Sequence, residues 1–210
     1  MFALYYFTFS MILIITCQID KMKVLKSSLL SLITTFTVLN ISMHGIIYND
    51  MYTSGRRCFE ILTIYWIIDL ISIFTIQQLD MIFHHLFCII ASINALYRKV
   101  YLDLVPYIMI VEVSTIFYHF KLIMDKMGKK ETTLYKVNGF MFWLSFLICR
   151  IIAIPLIVFF NYHVIHDVRS TIEIGIFAGL LWILSLYWFY KMSLYIKKTW
   201  FGAKRIKKTE

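Results

Sequence analysis

Long apolar stretches broken by short clusters of charge set the plan of this chain. Seven such stretches, of about 18 to 26 residues each, fall at about 2–19, 27–48, 59–78, 80–97, 103–123, 137–161 and 171–196. A helix needs roughly 20 predominantly apolar residues to cross the hydrocarbon of a bilayer, so each stretch is predicted to be one span. Most are closed by charge rather than by proline or glycine. The third and fourth are so close that Gln77, Gln78 and Asp80 must turn the chain tightly at one interface. The pattern predicts an all-α, polytopic membrane protein: a bundle of about seven transmembrane helices.

Composition sharpens this picture. Of the 210 residues, 60% are apolar and 18% aromatic, with two prolines and seven glycines, and the mean hydropathy is +0.76. That excludes an ordinary soluble domain, whose apolar fraction is nearer half. Seven spans and their loops use up the length, so residues 1–210 are expected to form a single membrane domain, with 197–210 as a basic cytosolic tail. The first stretch, Phe2 to Ile19, lacks a basic leading region and a small-residue cleavage site and is followed by Lys21, Lys23 and Lys26, which reads as a retained first span.

Charge supplies orientation. Lys21, Lys23, Lys26, Lys126, Lys129, Lys130, Lys136 and the tail residues Lys197, Lys198, Lys204, Arg205, Lys207 and Lys208 fall on one predicted side; Arg56, Arg57, Arg98, Lys99 and Arg169 fall on the other. The positive-inside rule then puts the N-terminus in the lumen and the C-terminus in the cytosol. The net charge of +9 sits in loops and tail, so anionic headgroups, not nucleic acid, are its expected partner. The last four residues, Lys207-Lys208-Thr209-Glu210, look like a dilysine signal read by coat proteins, which implies retrieval to the endoplasmic reticulum membrane.

Ionisable residues inside the spans are the candidate chemistry, because hydrocarbon tolerates them only when they face protein, a partner or water. Asp69, Glu112 and Arg150 each lie about mid-span, where Arg150 is expected to pair with Glu112 or Asp69. The alternative is an ion network that only locks the fold. His84 and His119 lie near the cytosolic ends of the fourth and fifth spans. Asp80 precedes His84 by four residues, hence shares its helical face, and is expected to orient the imidazole. Successive residues turn by about 100°, so His84 and His85 face different neighbours. An imidazole titrates near neutrality and suits general-base activation of an amine or hydroxyl; the alternative is that both rings only bond between helices. Glu112, Thr115 and His119 form one stripe on the fifth span.

Other features are quieter. His163-x-x-His166-Asp167 has metal-ligand types, but a predicted solvent loop without a fourth partner makes zinc an unexpected occupant; no metal or bound cofactor is expected. Cys17, Cys88 and Cys149 fall in spans and Cys58 in a predicted loop, with no disulfide framework. Trp143, Trp182, Trp188 and Trp200 are expected mostly at the lipid face and the interfacial belt. Pro106 falls near the start of the fifth span, where proline disturbs a helix least. No Gly-rich phosphate loop, GxSxG or HExxH is present.

Tyr65-Trp66-Ile67-Ile68-Asp69, then Asp80-Met81-Ile82-Phe83-His84-His85, then Glu112-Val113-Ser114-Thr115, then Arg150 in a late aromatic helix, resemble the TLC-domain family of multi-span membrane proteins over about residues 30–200. The resemblance implies a bundle of about seven helices around a lipid-accessible cavity. It includes the ceramide synthases, whose adjacent histidines support N-acylation of a sphingoid base by acyl-CoA. Carried over by position, His84 and His85 become catalytic candidates and Asp80 the upstream acidic residue. The Glu112-Val113-Ser114-Thr115 stretch looks more like the small TLC-domain transmembrane proteins, which are tied to membrane lipid homeostasis.

The expected function is therefore to bind or process a membrane lipid in an intramembrane cavity, and, if catalytic, to transfer an acyl group from acyl-CoA to an amine or hydroxyl. His84, His85 and Asp80 would carry the chemistry, and Asp69, Glu112, Thr115, His119 and Arg150 would line the pocket. Acyl-CoA would be a co-substrate. The alternative is a non-enzymatic cargo receptor or scaffold of the endoplasmic reticulum; a transporter finds no support in an inverted repeat or in broken helix pairs.

Overall fold

In a computed structural model, which describes residues 23–74, 79–161 and 168–201, every regular element is helical. The chain runs through α1 (Lys23–Ile47), α2 (Met51–Phe74) and α3 (Leu79–Arg98). A stepped approach follows, made of a 3-10 turn (Leu102–Leu104), one α-turn (Val105–Ile108) and a second 3-10 turn (Met109–Val111). It leads into α4 (Glu112–Lys126). α5 (Thr133–Phe146) continues through a π-helical segment (Leu147–Ile152) into α6 (Ala153–Phe160), and α7 (Val168–Phe201) closes the described chain. Five of these stretches are long and apolar enough to cross a membrane: Ser27–Ile47, Leu79–Arg98, Leu102–Lys126, Thr133–Phe160 and Val168–Lys198. The protein is a multi-pass membrane protein. The expected first span, 2–19, and the tail with Lys207 and Lys208 lie outside the described residues, as do Gln77, Gln78, His163, His166 and Asp167.

α2 departs most from the sequence reading. It starts at Met51 rather than near 59, because the chain reverses in three residues after α1: Asn49 takes φ 54° and Asp50 N–H bonds Gly45 O at 2.9 Å, an αL exit of the kind that ends helices. The arginines read as a loop sit on an exposed face of α2, where Arg56 pairs with Glu60 four residues on, at 2.9 Å. Cys58, expected in that loop, is completely buried in the core.

The core surrounds α2. Val38, Cys58, Ile61, Leu62, Trp66, Val105 and Met109 pack together, drawn from α1, α2 and the stepped approach. α1 contributes a stripe of small residues, Ser28, Ser31, Thr34, Thr35, Val38 and Ser42, all buried. Such stripes let helix backbones approach closely in lipid, where hydroxyls add bonds across the contact. Tyr65 donates to Ser31 at 2.9 Å, and Thr63 and Ser92 share a 2.6 Å bond between α2 and α3. Gly55 is obligatory here: a Cβ at that position would lie 1.9 Å from the carbonyl oxygen of Leu102.

α7 is held differently. Its faces are largely exposed, and indoles pin it: Trp143 donates to Ser193, Trp182 to Ile151 O and Trp188 to Asp80, at 2.9, 3.0 and 2.9 Å. Trp143, Trp182 and Trp188 are thus half-buried ties between helices, not the lipid-facing surface expected of them. Pro155 has no N–H to offer the carbonyl of Ile151 four residues back, and the Trp182 bond satisfies that oxygen. At one end of the bundle, Arg98 and Arg169 converge on Glu173, which also accepts from Asn94 at 3.0 Å. At the other end lies the loop between α4 and α5, where Lys130 bonds Asp125 at 2.7 Å; that contact raises the Lys130 ammonium above its ordinary range.

Candidate functional site

An elongated cavity of about 150 Å³ lies between α2, α3, the stepped approach, the π-helical segment, α6 and α7. Its lining on α7 runs from Ile174 to Ser185, roughly 16 Å at 1.5 Å per residue. Most of the wall is apolar, supplied by groups such as Trp66, Leu104, Phe177 and Leu181, and the side chains that break it include His84, Glu112 and Arg150. Mostly apolar walls with a few convergent polar groups are the usual form of a ligand site.

Each polar group reaches the cavity for a local reason. His84 sits in the first turns of α3. Its ring packs edge-on against the Trp188 indole, centroids 5.2 Å apart, and both ring nitrogens lie 3.9 Å from Sγ of Cys88, one helical turn on. Cys88 is buried and also lines the cavity. Glu112 is the first residue of α4 and lies inside the continuous helical stretch Leu102–Lys126, its backbone N–H already bonded into the preceding 3-10 turn. Its Oε2 accepts from Thr35 of α1 at 3.4 Å.

Arg150 belongs to the π-helical segment. The widened turn re-aims side chains relative to a regular helix, and such segments often mark functional sites. Its Nε donates to Ser114 Oγ at 2.9 Å and its Nη2 to Thr115 Oγ1 at 3.1 Å, while the guanidinium stands 5.3 Å from the Phe146 ring. Among the described residues no carboxylate comes within 4.0 Å of it. The expected ion pair with Glu112 or Asp69 is therefore not made. The two hydroxyls take two of the five guanidinium N–H donors, and an Arg near a membrane midplane costs about 2.5–3.5 kcal/mol on the insertion scale.

His85 and Asp69 form a second, separate cluster. His85 is 4% exposed and points away from the cavity towards α2, where its Nε2 lies 3.7 Å from Asp69 Oδ2; its Nδ1 is buried without a partner. Ser27 donates to Asp69 at 3.3 Å. Asp69 was expected at mid-span beside Glu112 and Arg150. Because α2 begins at Met51 and ends at Phe74, this residue instead lies near the C-terminal end of its helix, level with His85.

Asp80 differs too. It shares a face with His84, but its Oδ2 accepts from Trp188 Nε1 at 2.9 Å and its Oδ1 from Met81 N at 3.2 Å. The indole donor outcompetes the imidazole, so Asp80 reaches His84 only through the tryptophan. His119 is buried, with Nδ1 unpartnered and its ring 5.1 Å from that of Tyr118; it does not line the cavity, and nor does Thr115. The stripe of Glu112, Thr115 and His119 thus splits: Glu112 opens on the cavity, Thr115 holds Arg150, and His119 turns into the bundle. No group of three or more metal-ligating side chains occurs among the described residues.

Sequence reasoning missed Cys88 as a cavity residue, the Asp80–Trp188 bond and the π-helical segment. Pro155, three places beyond that segment, was the available signal for a disturbed helix. Tyr101, with φ 46°, also lines the cavity and had no sequence mark.

A family model described as TLC domain matches residues 1–194. TLC domain-containing protein 4 A of Dictyostelium discoideum is 32% identical over 116 residues, which cover 52% of this chain and 44% of that protein. The chain thus spans less than half the length of this relative. No solved structure matches.

Proposed function

The chain belongs to the TLC-domain family, and from that premise we propose that it holds a single-chain lipid, or one chain of a larger lipid, in the cavity between its helices and contributes to membrane lipid homeostasis. The observation that carries this reading is the position of His84, a polar ring on the wall of an elongated, mainly apolar cavity. An alkyl chain entering from the bilayer gains little hydrophobic free energy, since lipid tails are as apolar as the wall; its gain along Ile174 to Ser185 is close packing in a space that side chains leave open.

The reaction that fits is acyl transfer from acyl-CoA to an amine or hydroxyl. His84 takes the proton of the attacking group as that group bonds the acyl carbon, the C–S bond breaks, and His84 returns the proton to the sulfur so that coenzyme A leaves as the thiol. Asp80 acts as a positioning residue, holding Trp188 against the imidazole. His85, with Asp69, is structural in this scheme.

The test is to reconstitute the protein in lipid, supply labelled acyl-CoA with a panel of sphingoid and glycerolipid acceptors, and compare His84→Ala with His85→Ala. A general base contributes about 10²–10⁴-fold, so the first change is expected to lower product at least about a hundredfold. The second should lower thermal stability more than turnover. Equal product from wild type and His84→Ala, or no product from wild type, removes the catalytic part.

The same reading places the protein in the endoplasmic reticulum membrane with its C-terminus in the cytosol. Support comes from Lys207 and Lys208, a dilysine pattern suited to coat proteins, and from the distribution of Lys and Arg. Those two lysines also favour the second reading, a cargo receptor or scaffold that cycles between organelles.

A further inference from the structure

The cavity holds two formal charges of opposite sign that do not neutralise each other by contact. Glu112 and Arg150 both line it, and among the described residues no ion pair joins them. Each is instead held by hydroxyls from the protein: Thr35 on the carboxylate, Ser114 and Thr115 on the guanidinium. The two bonds at 2.9 and 3.1 Å fix where the guanidinium stands, while Thr35 meets the carboxylate in a longer contact of 3.4 Å. Arg150 is tied through Nε and Nη2, which leaves the N–H groups of Nη1 for a further acceptor. Among the described residues Glu112 accepts one hydrogen bond, on Oε2, and a carboxylate has about four acceptor sites.

Resting on the cavity reading above, we propose that this site selects a lipid whose headgroup is zwitterionic, with an oxyanion seated on Arg150 and an ammonium facing Glu112. The remaining walls agree with it. Trp66 and Trp182 present aromatic surface to the same space, and an ammonium is stabilised over an aromatic face. His84 completes the polar lining without adding a fixed charge in its neutral form. A purely anionic head would leave the Glu112 carboxylate against like charge, and a purely cationic one would do the same to Arg150. Only a head carrying both signs matches both walls, and selection against singly charged lipids comes from the mismatched wall as much as from the matched one.

The test uses the full chain in detergent with a neutral photoreactive fatty alcohol as reporter, its crosslinks mapped by mass spectrometry. Four chain-matched competitors are compared: a lysophosphoethanolamine, a fatty carboxylate, an alkylamine and a fatty alcohol. In the wild type the lysophosphoethanolamine is expected to displace the reporter from peptides covering Ile174–Ser185 at least about tenfold more effectively than either singly charged competitor. Glu112→Gln should shift preference towards the carboxylate, and Arg150→Gln towards the amine. The double change Glu112→Gln with Arg150→Gln should favour the alcohol, a check that stands if either single variant folds poorly. Wild type preferring a singly charged competitor, or variants losing affinity for all four alike, overturns the zwitterion assignment while labelling of Ile174–Ser185 leaves the cavity reading intact. Absence of reporter label on those peptides overturns both.

Discussion

At Gly55 one missing methyl group decides how close two helices come. The Cβ of an alanine would stand 1.9 Å from the backbone oxygen of Leu102, and a carbonyl in a buried turn cannot swing aside as a flexible side chain can. Overpacking of this kind costs typically 1–3 kcal/mol. Gly55→Ala should therefore lower the thermal midpoint in detergent, whereas Gly139→Ala, with nothing within 4 Å of its added Cβ, should leave it unchanged or slightly raised, because alanine favours a helix over glycine. Equal midpoints for the two variants would contradict this packing. The same scale shows what spacing along a helix can and cannot reveal. Four residues separate Asp80 from His84, which correctly put them on one face; the spacing was silent on Trp188, 108 residues further on, whose indole claims the carboxylate. Local rules identify neighbours, and competition among neighbours is settled by the fold.

Among the elements, the segment Leu147–Ile152 matters most to the site. A π-helical segment carries an extra residue relative to an α-helical turn, so it sets the angular register of Arg150 against Ser114 and Thr115. Deleting Ile148, which is exposed on the bundle surface, should return the segment to α-helical register. The predicted outcome is retained helical circular dichroism with a loss of binding for amphiphiles that use Arg150, read by the competition assay above; unchanged selectivity would show that the wide turn is incidental. Apolar patterning located the helical stretches among the described residues because bilayer thickness leaves little freedom in their length. It misjudged their ends where charge was taken as a loop: Arg56 and Arg57 fit inside α2 by lying on its outer face, and the shifted helix bounds moved Asp69 from mid-span to the end with His85. Nor did patterning reveal the steps of Leu102–Val111, since 3-10 and α turns bury apolar residues alike. The histidines were legible as a pair, but which ring opens on the cavity depends on how α3 packs between α2 and α7.

As a whole the molecule combines two modes of assembly. α1, α2 and α3 meet through small hydroxyl residues and bury the core, while α7 leans on the rest through indoles and a charged knot at Glu173. The cavity lies along the boundary between these modes, where α7 faces α2, α3 and the stepped approach. That placement accounts for an apolar interior that is not filled by side chains, and it puts His84, Glu112 and Arg150, drawn from three separate stretches of chain, around one space. The measurement that tests the account most directly is a density map of the protein in lipid nanodiscs. The account predicts continuous elongated density along Ile174 to Ser185, with its polar end beside His84, Glu112 and Arg150. A closed cavity in which α7 packs directly on Trp66 and Leu104, with no density between them, would contradict it.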